Sequence, residues 1–135
     1  MTTFNKPLPH PDPISQTFWD AAKRHELIIQ RCKTCDEHIL YPRQVCSNCL
    51  SSDLEWIQAS GKGRVYSFTV VHQAVHPAFM GDVPYVFAII NLDEGPRIAT
   101  NIVECNPDDV KVDMPVKAVF DDVTPEVTLI KFKPA

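Results

Sequence analysis

Residues 32–49 read Cys32-Lys-Thr-Cys35, then Asp36-Glu-His-Ile-Leu-Tyr-Pro-Arg-Gln-Val45, then Cys46-Ser-Asn-Cys49. These are two Cys-x-x-Cys knuckles. In each, the first thiolate ends a strand and the second follows a tight turn, so both sulfurs can reach one ion at about 2.3 Å. A pair of knuckles closes a tetrahedron of Cys32, Cys35, Cys46 and Cys49. Four thiolates suit zinc, and a shell filled by the protein leaves no position for water or substrate, which predicts a structural site. Iron in the same four-sulfur cage is the chemical alternative. Two disulfides, which would need an oxidising compartment for which the chain carries no signal, and buried thiols are the weak alternatives.

The segment is too short to bury a core, so the rest of the 135 residues must supply one. With 44% apolar residues, 22% charged residues and a net charge of −4, the composition is that of a soluble globular chain. No apolar run reaches the roughly 18 residues of a spanning helix, and residues 1–13 lack the apolar core of a signal peptide, so a cytoplasmic protein is expected. Cys105 stands apart from the knuckles and reads as an inert, partly buried thiol.

Pro7, Pro9, Pro11 and Pro13 predict an extended arm that something else must order. Asp12-Pro13 reads as a helix start, Asp12 being the N-cap and Pro13 the first helical residue. Ile14, Phe18, Ala21, Ala22 and His25 fall on one face of that helix, while Trp19 points away from them, free to cover the edge of the core or a partner protein. Leu27–Arg31 is predicted as a strand entering the first knuckle, with His38–Pro42 returning from it. Asp36 follows the knuckle where the backbone tends towards positive φ, which Asp tolerates better than most residues. His38 is not needed as a ligand because four cysteines already fill the shell.

After a turn at Ser60-Gly61-Lys62-Gly63 the chain turns to β-structure. Strands are predicted at Val65–His72, Tyr85–Leu92, Arg97–Glu104, Val116–Phe120 and Val127–Phe132, with Tyr66, Phe68 and Val70 on one side of the first. Five short strands fit a closed OB-fold barrel. The expected fold is thus mainly β, with an N-terminal arm and helix over residues 1–26, a zinc ribbon over 27–59 and the five-stranded OB-fold over 60–135. The long connection from Gln73 to Pro84 holds His76, Phe79 and Met80; exposed apolar residues on a long loop often mark a binding surface, and a loop folded back on the barrel is the equal alternative. His72 and His76 lack a paired carboxylate or nucleophile at a recognisable spacing, so no catalytic constellation is read.

The order of parts resembles the DUF35 family. The Phe18-Trp19 pair, a rubredoxin-like ribbon with Tyr41-Pro42-Arg43 before its second knuckle, the run Ser60-Gly-Lys-Gly-Arg-Val-Tyr-Ser-Phe-Thr-Val-Val71, the strand from Pro84 to Ile90, Asp93-Glu-Gly-Pro-Arg97 and Met114-Pro-Val116 carry the resemblance across nearly the whole chain. Asp36 and Asp113 depart from it, standing where the family often has Gly. The resemblance implies a non-catalytic accessory subunit that partners a thiolase-like enzyme, or a hydratase or aldolase, acting on CoA thioesters, with zinc in the ribbon and acyl-CoA as a ligand of the complex. Trp19, Phe79 and Met80 are the candidate partner contacts. Arg43, Lys62, Arg64 and Arg97 are cations that could reach CoA phosphates, although solvated surface charge describes each of them as well.

Ribbons and OB-folds also bind nucleic acids, so a single-strand binding module is the rival reading. From Gly61 onward 7 Lys and Arg stand against 10 Asp and Glu, a net of −3 and a poor surface for counterion release. An independent small enzyme lacks both a nucleophile–base pair and an open metal site.

Overall fold

The computed structural model describes residues 8–73 and 77–135; the beginning of the proline arm and the predicted loop residue His76 lie outside them. Helix α1 (Gln16–Lys23) comes first, followed by a three-stranded antiparallel ribbon of β1 (Ile28–Cys32), β2 (His38–Ile39) and β3 (Leu54–Gln58) in the order β2-β1-β3. The barrel is closed by β4 (Lys62–Val71), β5 (Tyr85–Leu92), β6 (Arg97–Ile102), β7 (Pro115–Asp122) and β8 (Thr128–Pro134) in the order β4-β5-β6-β8-β7. All its neighbours are antiparallel except β6 and β8, which run parallel and meet at the single pair Ile102 and Phe132. This is the expected OB-fold topology. No helix among the described residues is long and apolar enough to cross a membrane.

The helix begins later than Asp12-Pro13 suggests. Asp12 does accept the Ser15 N–H at 2.7 Å, Ser15 Oγ accepts the Asp12 N–H at 3.1 Å, and the Asp12 carbonyl accepts the Gln16 N–H at 2.9 Å, so Asp12 caps the turn over residues 13–15 that leads into the helix. Ala21 and Ala22 are buried as expected, whereas His25 is exposed. Its N–H bonds the Ala22 carbonyl, the Glu26 N–H bonds the Ala21 carbonyl, and His25 itself is left-handed with φ 62°, so the helix ends in a Schellman turn. Glycine commonly fills that position. Here the imidazole stacks on Phe120 with ring centroids 5.2 Å apart, and Nε2 lies 2.9 Å from the Asp122 carboxylate, which compensates for the strained backbone by tying the helix end to β7.

The return strand β2 covers only two residues instead of His38–Pro42, and β3, which the sequence did not mark, pairs with β1 from Ile28↔Gln58 to Cys32↔Leu54. In β4 the register shifts between Val65, opposite Ile90, and Ser67, opposite Ile89. This bulge turns Tyr66 outward, away from Phe68 and Val70, and it lets buried Val65 join the core beside them. Gly63 needs to be glycine for steric reasons: a Cβ there would collide with the Asn91 carbonyl and Ile90.

One apolar cluster runs through both halves of the molecule, joining Leu27, Ile29, Leu40 and Ala59 of the ribbon to Val65, Val86, Ile90, Val116 and Phe132 of the barrel.

Asp122 accepts the Thr128 hydroxyl and faces His25, and these two contacts, Thr128 first, hold its carboxyl below the ordinary value of 3.8. A depressed carboxyl stabilises the fold above its ordinary value, and that contribution is lost as the pH falls below it. Asp122→Asn is therefore expected to lower stability at neutral pH and to flatten the acid limb of the stability profile below about pH 4, as read from thermal midpoints across pH.

Candidate functional site

Cys32 ends β1 and Cys35 closes the turn that follows; Cys46 and Cys49 frame the second turn. In both knuckles the residue after the second cysteine is left-handed, Asp36 at φ 68° and Leu50 at φ 65°. Each turn places a backbone N–H towards the first cysteine's carbonyl, Asp36 to Cys32 and Leu50 to Cys46, both at 2.9 Å. The four Sγ atoms lie within 4.8 Å of one another, with Cys32–Cys49 and Cys35–Cys46 each 3.6 Å apart. A tetrahedron with 2.3 Å metal–sulfur bonds has edges of about 3.8 Å, so the cage fits a zinc-sized ion.

The electrostatics agree. N–H groups of Cys35 and then Thr34 hold the Cys32 thiol down at about 6, and the Asn48 side chain, with the Glu37 N–H, lowers Cys35. At Cys49 the Ser51 N–H acts in the same direction, but loss of solvent and the sulfurs of Cys35, Cys32 and Cys46 outweigh it and push the thiol up to about 12. Thiolates this close repel, and a cation at their centre removes the repulsion. Arg31 braces the rim through Asp36 and through Glu55 at 2.6 Å. His38 lies outside the cluster, and His72 is exposed.

A second feature lies on the barrel wall. Because β6 and β8 touch at one pair only, the seam between them opens into a groove of about 380 Å³, roofed by Phe18 and Trp19 of α1 and by Tyr41 and Pro42 of the ribbon, with Ala99 and Ile130 in its floor. Trp19 sits edge-on to Phe18 with centroids 5.3 Å apart. A further hollow of about 290 Å³ continues along the same seam past Asn101, Leu129 and Lys131 to Phe79 and Tyr85. Trp19 and Phe79, distant in sequence, thus mark the two ends of one trough. Met80 is 67% exposed and borders neither hollow. Pro9 and Pro11 share a small cavity with Trp19, so the described part of the arm lies against the helix.

Two family models match the chain, one described as the ChsH2 rubredoxin-like zinc ribbon domain over residues 19–55 and one as the ChsH2 C-terminal OB-fold domain over residues 56–121. A DUF35 domain-containing scaffold protein of Methanocaldococcus jannaschii is 46% identical over 99 residues, covering 73% of this chain and 70% of that protein. The chain belongs to the DUF35 family. A probable enoyl-CoA hydratase alpha subunit of Thermomonospora curvata is 43% identical over 119 residues, which are 87% of this chain but 37% of that subunit, so the DUF35 chain spans little more than a third of its length. A benzoylsuccinyl-CoA thiolase subunit, BbsA, of Geobacter metallireducens is 32% identical over 50% of this chain and 44% of its own. A solved structure described as "Ltp2-ChsH2(DUF35) aldolase" superposes with a TM-score of 0.84 at 38% identity, over 94% of this chain and 98% of that one.

Both departures from the DUF35 pattern sit on left-handed backbone, Asp36 at φ 68° and Asp113 at φ 70°, which explains why Gly is favoured there and Asp is tolerated. Cys105 is half-buried against the core, and burial followed by Asp109 raises its thiol above the usual value, as befits an unreactive sulfur. Tyr41, which the sequence marks only as part of the Tyr41-Pro42-Arg43 run, links the ribbon to the barrel. Its hydroxyl accepts the Ala99 N–H at 3.2 Å, capping a donor that the open seam leaves without a strand partner, and the next turn is clamped where Gln30 bonds both the Arg43 N–H at 2.8 Å and its carbonyl at 3.0 Å. Tyr41→Phe is expected to destabilise the protein by about 1 kcal/mol and to speed hydrogen exchange at the Ala99 amide, measured by urea unfolding and by exchange NMR.

Proposed function

We propose that this DUF35 chain is a non-catalytic accessory subunit of an acyl-CoA-processing hetero-oligomer, seated against a thiolase-like or aldolase subunit and helping to shape its acyl-CoA site. The observation that carries this reading is the apolar trough from Trp19 to Phe79, which the chain's own core does not cover. Relatives named as a CoA hydratase subunit, a CoA thiolase subunit and an aldolase assembly support the choice of partner class. Trp19, Phe79 and Met80 contact the partner, the Phe79 end lying nearer the acyl-CoA entrance. Four free ribbon thiols suit a reducing compartment, the cytoplasm.

In this reading Cys32, Cys35, Cys46 and Cys49 hold one zinc ion, which cross-links the two knuckles and does no chemistry because its shell is full. Chain residues do the rest: Arg31 braces the knuckle rim, and Tyr41 carries the ribbon's position to the barrel seam.

Purified protein is expected to contain one metal ion per chain by elemental analysis. Cys46→Ser should release it and loosen the ribbon while the barrel retains its strand signal; freshly made, partner-competent protein without metal would refute the site. Trp19→Ala and Phe79→Ala, made separately, should each weaken co-purification with the co-expressed partner by about 2 kcal/mol or more without loss of metal. The chain alone should not turn over acyl-CoA, and the partner should be more active with it than without. Unchanged partner binding in both variants, or robust turnover by the isolated chain, overturns the proposal.

A further inference from the structure

Of the cations on the barrel, most are already engaged. Arg64 bonds the Asp113 carbonyl at 3.0 Å, Arg97 lies 3.9 Å over the Tyr66 ring and bonds Asn91, Lys131 pairs with Asp121, and Lys133 pairs with Glu104 at 3.7 Å. Lys62 and Lys117 are different. They stand directly opposite each other where β4 and β7 close the barrel, and Lys133 is the next residue in the same cross-strand row. Like charges facing one another across strands are destabilising. Among the described residues neither Lys62 nor Lys117 has a carboxylate within ion-pair distance.

Both lysines border a concave site of about 210 Å³ that also takes in Ser60, Gly61, His25 and Phe120. Of the acids around it, Asp122 holds His25 and the Thr128 hydroxyl and Glu94 accepts the Ser60 N–H at 2.9 Å, while Asp93, whose N–H bonds the Lys62 carbonyl, makes no ion pair with either lysine. On a chain of net charge −4, two unneutralised ammonium groups at the mouth of a half-apolar hollow form a local anion trap.

We propose that Lys62 and Lys117 bind a phosphomonoester, whose two negative charges match the two ammonium groups. The organic body of the ligand rests on the Phe120 side of the hollow. A polymer backbone is the poorer occupant, because a strand needs a line of free cations; among the described barrel residues only Lys111 is unpaired besides these two, and it does not line the hollow. Resting on the acyl-CoA reading, we identify the ligand as the nucleotide end of CoA, which carries such a monoester; inorganic phosphate shares the chemistry and occupies the same lysines more weakly.

The test is amide NMR titration of the metal-loaded full chain at low ionic strength. The probes are inorganic phosphate, adenosine 3′,5′-bisphosphate, CoA, dephospho-CoA and a single-stranded oligouridylate. Saturable shifts are expected at residues 60–62 and at Lys117. CoA should bind roughly tenfold or more tighter than dephospho-CoA, and the Lys62→Gln/Lys117→Gln double variant should lose a similar factor, whereas Arg64→Gln should not. Binding of phosphate and bisphosphate at these lysines without preference for CoA would retain the phosphate site and refute its assignment to CoA. Shifts that survive in the double variant, no saturable response to any phosphate, or tighter oligouridylate binding spread over Arg64 and Arg97 would overturn the site.

Discussion

Leu27, Ile29 and Leu40 belong to the ribbon by chain position but are buried with Val65, Ile90 and Phe132 of the barrel, and this shared apolar core makes one body of two small folds. The knuckle end of the ribbon has little of its own, with only Cys32, Ile39 and Cys46 fully buried and Cys35 and Leu54 packed beside them. So few side chains cannot offset the conformational entropy of ordering two turns. The ribbon is held from both ends, by the four-sulfur cluster at its tip and by the barrel core at its base.

That arrangement has consequences for the barrel wall. The helix ends at His25, whose ring is stacked on Phe120 and tied to Asp122, so α1 is fastened to β7 and its Phe18-Trp19 pair overhangs the seam between β6 and β8. From the other side Tyr41 reaches the Ala99 amide. The seam is a necessary product of the topology: antiparallel neighbours close the barrel everywhere else, and the parallel contact at Ile102 and Phe132 extends for one pair only. Its backbone donors must find other partners, and the two elements that supply or cover them also make the walls of a groove. Stability and the candidate docking surface therefore draw on the same residues.

Charge is distributed with the same economy. Most of the barrel cations make local contacts, while Lys111 and the facing pair of lysines at the β4–β7 closure have no carboxylate partner among the described residues. Such a pair weakens the sheet unless something anionic sits against it, which is why it points to a ligand more directly than the arginines do.

The sequence by itself picked out the four cysteines that the fold gathers into one cluster, because two thiols three residues apart on each of two turns is the spacing a short metal–sulfur bond requires and a pattern with few other uses. It also determined five barrel strands from β-branched and aromatic runs, and the strand at Tyr85–Leu92 is found with those bounds. Only the tertiary structure decided which way Tyr66 points, since a bulge of one residue reverses a strand's faces without changing its composition. It alone brought Trp19 and Phe79 to one trough and Lys62 beside Lys117. These pairs lie tens of residues apart, and what joins them is strand order and register, set by the closure of the whole barrel. No local pattern of side chains carries that information.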